Sequence, residues 1–175
     1  MYNNNYLNAS IVDFIKRDSL ECLNEDINHP FKNALFQSNL EIYASSQEDH
    51  ELLARFNFVQ PVNIDGISFK LAEKQVSDGF GPKKVKLFVN ATPYDINDAE
   101  TENCTQEVEI SNPQLLSGEI IDLRLVKFKN VNYMQIYVSE NHGREITKIG
   151  RVNIYGSKGD YVDITKWKPY EKEQQ

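Results

Sequence analysis

From residue 124 to 156, RLVKFKNVNYMQIYVSENHGREITKIGRVNIYG, apolar and polar side chains alternate at the two-residue period of a β-strand through most of the stretch. Val126 and Phe128 alternate with Lys127 and Lys129. Met134, Ile136 and Val138 then alternate with Tyr133, Gln135 and Tyr137, and Val152 and Ile154 supply a third apolar face before Gly156. Asn130 to Asn132 and Glu140 to Gly143 read as the turns between them, Gly143 being free to take positive φ. The pattern predicts an antiparallel meander of three strands, each buried on one face.

The same reading runs along the rest of the chain. Ser10 as N-cap, with Ile11, Phe14 and Ile15 on one face, predicts a short N-terminal helix. Leu20 and Cys22 mark a short strand, and Phe31, Leu35 and Phe36 are buried anchors in HPFKNALF. Leu52, Ala54, Phe56 and Phe58 alternate as a strand that Pro61 closes. The apolar parity changes between Val62 and Ile64 on one side and Ile67, Phe69 and Leu71 on the other, so Gly66 reads as a β-bulge. Residues 73 to 82 read as a mobile loop. Val85, Leu87 and Val89 face in while Lys84 and Lys86 face out, residues 92 to 103 form an acidic loop, and Val108 and Ile110 mark another strand before a turn in NPQLLSGE. These elements predict an all-β jelly-roll sandwich with a short N-terminal helix.

Composition fixes the class of partner more than the fold. The 175 residues suit one domain, with a frayed N-terminus at 1–6, a folded unit at 7–156 and a tail at 157–175. A formal charge of −7 argues against nucleic acid and anionic membrane as partners. The charge is uneven: residues 1–80 carry 6 Lys and Arg against 12 Asp and Glu, residues 81–175 carry 13 against 14. No apolar run nears a membrane span and no leader precedes the domain, so the cytoplasm and nucleus are the expected locations and the sequons at Asn8, Asn90 and Asn103 carry no glycan. Cys22 and Cys104 are far apart and form no CxxC dithiol.

Candidate chemistry is sparse. His50 sits in the acidic stretch SSQEDHE without a second ligand at metal spacing, and Asp95, Asp98, Glu100 and Glu102 lack the glycine and closing glutamate of an EF-hand. No catalytic motif occurs, so no enzyme, cofactor or metal is expected.

ECLNED, HPFKNAL, HELLARFNFVQPVNIDGISF, GPKKVKLFVN, DINDAETENCTQEVEI and RLVKFKNVNYMQIYVSENHG…ITKIGRVNIYG follow one another in an order that resembles the PITH domain, named for proteasome-interacting thioredoxin-like proteins. The resemblance covers roughly residues 7 to 156. It implies a jelly-roll similar to galactose-binding-like and Doc-type domains, and association with the 26S proteasome. The chain resembles the stand-alone PITH type, without space or cysteines for a thioredoxin domain, and no catalytic residues carry over.

Together these readings predict a non-enzymatic, monomeric adaptor that binds the 26S proteasome or a related protein complex. Its candidate surface is a basic stripe of Lys84, Lys86, Lys127 and Lys129, if their strands are neighbours, together with the tail aromatics Tyr161, Trp167 and Tyr170. The alternative is a small-ligand or carbohydrate-binding module using the loops around Phe80 and Asn141 to Arg144.

Overall fold

The computed structural model describes residues 9–159. Its strands are β1 (Ala9–Ser10), β2 (Glu21–Leu23), β3 (Ala44–Ser45), β4 (Leu52–Lys70), β5 (Pro82–Val89), β6 (Gln106–Glu109), β7 (Ile121–Asp122), β8 (Val131–Asn141), β9 (Lys148–Ile149) and β10 (Arg151–Lys158). Helices α1 (Lys32–Phe36), α2 (Glu73–Ser77), α3 (Ile96–Thr101) and α4 (Asn112–Ser117) are dispersed between them, with 3₁₀ turns at Val12–Phe14, Arg17–Ser19 and Leu125–Lys127.

The fold is therefore mixed α/β, a partly closed six-stranded half-barrel with scattered helices, and this corrects the expected all-β jelly-roll with a single N-terminal helix. Three helices come from stretches read as loops or turns. Each is only five or six residues long, too short to show a 3.6-residue apolar period, so their ends specify them. Asp95 and Asp98 form a reciprocal capping box on α3, and Ser111 and Gln114 form another on α4, where Pro113 occupies the first turn. In the region expected to be a mobile loop, α2 buries Val76 against the core. The predicted N-terminal helix is instead two 3₁₀ turns, although Ile11 and Ile15 are buried as expected.

The main sheet runs β1-β10-β4-β8-β5-β6, with β2 and β7 also pairing β4 and a separate β3-β9 pair. The 19-residue β4 is its spine. Its first part pairs with β8 from Leu52 to Asn57 and with β2 from Leu53 to Arg55, and its second part pairs with β10 from Val62 to Lys70. Pro61 does not end the strand. It sits in the irregular step between Asn57 and Val62, where a residue without an N–H costs no ladder bond. The bulge expected near Gly66 is present: Tyr155 opposes Gly66 and Gly156 opposes Ile64, leaving Asp65 as the extra residue. A Cβ on Gly156 would lie 1.9 Å from the Asn63 carbonyl oxygen, so glycine is required where β10 crosses the bulge.

Because β4 lies between β10 and β8, residues 124–156 are not a meander. Its first predicted strand is a 3₁₀ turn followed by Phe128. Nor is β8 buried on one side alone. Met134, Ile136 and Val138 enter the main core with Leu52, Ala54, Phe56, Val85 and Leu87. Gln135 and Tyr137 on its other face are equally inaccessible, covered with Leu53 and Phe88 by α3 and the segment leading into it. That covering segment, from Ala91 to Cys104, crosses the outer face of β4, β8 and β5 as a strap, with Ala99, Tyr94 and Ile96 packed inward.

Candidate protein-interaction surface

The strap explains two of the predicted site residues. Lys86 Nζ donates to the carbonyls of Glu100, at 2.7 Å, and Ala99, at 3.4 Å, near the C-terminal end of α3 where helix carbonyls lack partners. Lys84 Nζ lies 3.5 Å from the Glu140 carboxylate. Both lysines border a polar recess of about 420 Å³ on the outer face. Within it the buried Tyr137 hydroxyl donates to the Glu51 carboxylate, and His50 Nε2 lies 2.9 Å from the Ser139 carbonyl oxygen. Burial, followed by the hydrogen bond and charge of Glu51, pushes the Tyr137 hydroxyl well above the usual phenol range.

Lys127 and Lys129 lie elsewhere. Lys127 ends the third 3₁₀ turn and Lys129 follows Phe128, so neither stands on a strand beside β5 and the four-lysine stripe does not form. Tyr161, Trp167 and Tyr170 lie outside the described residues.

What the turn does present is a basic, apolar-tipped projection. Val126 is 80% exposed and Leu125 42%, whereas Phe128 is wholly buried and anchors the turn in the core. Arg124, Lys127 and Lys129 are exposed around this tip, and neither of the two ion pairs among the described residues uses them. The base is well held. Gln106 Oε1 accepts from the Arg124 N–H at 2.9 Å and Gln106 Nε2 donates to the Asp122 carbonyl at 3.4 Å. Leu123 N–H donates to the Asp65 carbonyl, Ile64 N–H to the Phe128 carbonyl, and Asn130 N–H to Asn63 Oδ1. Asn130, at φ 52°, turns the chain into β8. At the same end of the molecule Gly159 N–H donates to the Pro61 carbonyl, and a Cβ on Gly159 would meet Asn130 Oδ1 at 2.7 Å. The described chain thus ends beside this turn.

Sequence reasoning placed Val126 in the core with Phe128 and missed the exposed tip. Alternation alone cannot separate a half-buried strand from a turn whose one anchor is buried, but the cations flanking Leu125 and Val126 were a visible sign that this segment meets solvent.

The loop group considered for a small ligand is assembled in part, with its components already engaged. Arg144 lies 5.0 Å and Lys148 Nζ 4.2 Å from the Phe80 ring centroid. Asn141 Nδ2 donates to the Arg144 and Ile146 carbonyls, and its Oδ1 accepts from the Gly143 and Arg144 N–H groups. Gly143 takes φ 113°, as its turn required. Asp95 and Asp98 are occupied in the α3 capping box. Among the described residues no group of three or more His, Cys, Asp or Glu side chains is arranged to hold a metal ion. Cys22 and Cys104 are free thiols, each pushed up chiefly by burial and secondarily by Glu25 and Glu107 respectively. No helix among the described residues is long and apolar enough to cross a membrane.

Comparison with known proteins gives this geometry a family. Thioredoxin-like protein 1 of Schizosaccharomyces pombe is 34% identical over 151 residues, covering 85% of this chain and 51% of that protein. The PITH domain-containing protein CG6153 of Drosophila melanogaster is 29% identical over 152 residues, covering 84% of this chain and 69% of that protein. The chain thus spans about half the length of the first relative and about seven-tenths of the second. Among solved structures, the family 32 CBM of Clostridium perfringens NanJ in complex with galactose superposes with a TM-score of 0.57 at 12% identity, over 85% of this chain and 98% of that one. The CBM32-1 and CBM32-2 domains of Clostridium perfringens ZmpB in complex with GalNAc give a TM-score of 0.60 at 12% identity, over 86% of this chain and 36% of that one. At such identities these structures share the fold alone. The PITH domain, in contrast, matches residues 3–174, nearly the whole chain, and the chain belongs to that family.

Proposed function

We propose that this PITH-domain chain is a non-enzymatic protein-interaction module that binds the 26S proteasome, or a related protein complex, as an adaptor in the cytoplasm and nucleus. The family match supports an interaction role, and the 124–129 turn supplies a surface for it. The observation that carries the reading is Val126, four-fifths exposed at the tip of a tightly held turn and surrounded by Arg124, Lys127 and Lys129. A turn fixed at its base by hydrogen bonds and by the buried Phe128 has less backbone freedom to lose on binding, and the three cations favour an acidic partner patch. Tyr161, Trp167 and Tyr170 are proposed as further contact residues.

Affinity purification of the tagged chain from cell lysate, with quantitative mass spectrometry of the captured proteins, tests the assignment. Proteasome subunits are expected well above background. Val126→Asp should reduce their recovery about tenfold, in line with the loss of a central apolar contact. The pair Lys127→Glu and Lys129→Glu should weaken capture in a way that depends on salt. Proteasome subunits at background level would end this reading.

A further inference from the structure

On the side of the molecule formed by the N-terminal 3₁₀ turns, β2 and α1 lies a recess of about 240 Å³. Its apolar wall is Leu20, Cys22, Pro30 and Phe36, and its charged lining is Arg17 and Lys32 together with one carboxylate, Glu25. The volume is below the roughly 300–1,000 Å³ of pockets that engulf whole small ligands, and it suits a single large side chain inserted from outside. The walls are set by the backbone. Ser19 Oγ accepts from the Asn57 N–H at 2.9 Å and ties the second 3₁₀ turn to β4. Glu25 Oε2 accepts from the Phe31 N–H at 2.6 Å, so this carboxylate holds the entry to α1. Cys22 contributes a protonated, apolar thiol surface, since burial and the nearby Glu25 charge both push its pKa up.

The charges at the mouth are disposed differently from those of the protein as a whole. The chain is acidic, yet Arg17, Lys32 and, in an adjoining recess of about 230 Å³ that shares Arg17 and Phe36, Arg151 make no ion pair among the described residues. Asp13 is the acidic residue of that second recess. Arg17 is held by the Phe36 ring, its guanidinium carbon 4.2 Å from the centroid, which leaves its N–H donors available. With Glu25 engaged by the Phe31 N–H, an apolar cleft under cations that make no ion pair among the described residues is complementary to an apolar side chain flanked by carboxylates.

We infer that the Arg17–Phe36 recess is a second contact point, taking one aromatic or branched apolar side chain of an acidic partner segment. Arg17 and Lys32 pair with the flanking carboxylates while the apolar side chain displaces water from Leu20, Cys22 and Phe36. The inference rests on the interaction-module reading and adds the chemistry of the partner segment.

The test uses the full chain, labelled with ¹⁵N, titrated with a blocked pentapeptide in which phenylalanine stands between two pairs of glutamates. Amide shift changes centred on Leu20, Cys22 and Phe36 are expected. Affinity should be at least tenfold weaker for the peptide with central alanine, and at least tenfold weaker for the exposed-site variants Arg17→Glu and Lys32→Glu. Equal binding of the phenylalanine and alanine peptides, equal binding of a lysine-flanked peptide, absence of binding, or shifts centred on residues 124–129 would each overturn the inference. Proteasome capture by Arg17→Glu separates the two proposals. Peptide binding without any capture by the unaltered chain refutes the proteasome assignment alone, and undiminished capture with no peptide binding refutes the recess alone.

Discussion

The middle of the central sheet, where β4, β8 and β5 run side by side, is covered on both faces, but the two faces are closed by different physics. On the inner face Leu52, Ala54, Phe56, Val85, Leu87, Met134, Ile136 and Val138 pack into the main core. On the outer face a much smaller cluster, Leu53, Phe88, Ala99 and Tyr137, lies under a strap that polar groups hold in place. Gln135 is the key fastening. Although wholly buried, it accepts from the Tyr94 N–H at 3.0 Å and donates to the Thr92 carbonyl at 2.9 Å. Arg55 adds a bond to the Tyr94 carbonyl at 2.6 Å while pairing with Glu21, and Lys86 secures the far end of α3. The inner face resists opening through lost packing, the outer through polar groups that would be stranded.

That contrast sets a ranking. Phe56→Ala on the inner face should cost about 3–5 kcal/mol in denaturant unfolding, since a wholly buried ring is replaced by a cavity. A loss below about 1 kcal/mol would break the distinction. Gln135→Leu keeps most of the side-chain volume but strands two backbone groups of the strap, and should cost about 1–3 kcal/mol. Hydrogen exchange should then accelerate at Tyr94 more than in β8, a separation that uniform destabilisation would not produce. The smallest effect at neutral pH is expected for Tyr137→Phe, which removes the hydroxyl bonded to Glu51. Because folding raises the Tyr137 pKa, its contribution is fully present below the ordinary phenol value of about 10 and falls as pH rises above it. Unfolding followed from pH 8 to pH 11 should show a steeper alkaline loss in the unaltered chain than in Tyr137→Phe, and coincident curves would remove Tyr137 from the account.

Much of the inner face was legible in the sequence, because Leu52, Ala54 and Phe56 and then Met134, Ile136 and Val138 repeat the strand period without interruption. The outer face was hidden by the same period. Once alternate positions were assigned to a core, Tyr133, Gln135 and Tyr137 between them read as solvent-facing, and nothing local marks that the strap from Ala91 to Cys104 folds back over them. The strap itself read as a loop because α3 is specified by its capping pair, Asp95 and Asp98, and by a few tertiary contacts. Of the candidate surface, the lysines were visible but their arrangement was not. Lys84 and Lys86 are engaged by Glu140 and α3, while the exposure of Val126 depends on Phe128 turning inward alone.

The pairing of β10 has a consequence for the order in which the chain can fold during synthesis. Ala9 pairs with Gly156, and β10 inserts between β1 and the second part of β4. The partner of residues 62–70 is therefore the last of the described strands to leave the ribosome, and until then the edge of β4 that receives β10 has unpaired backbone groups. Contacts between the two ends of so long a sequence close late and slowly. The domain is thus expected to reach its native state only after translation has passed β10, and truncations that remove this strand should yield insoluble chains rather than a smaller stable fold.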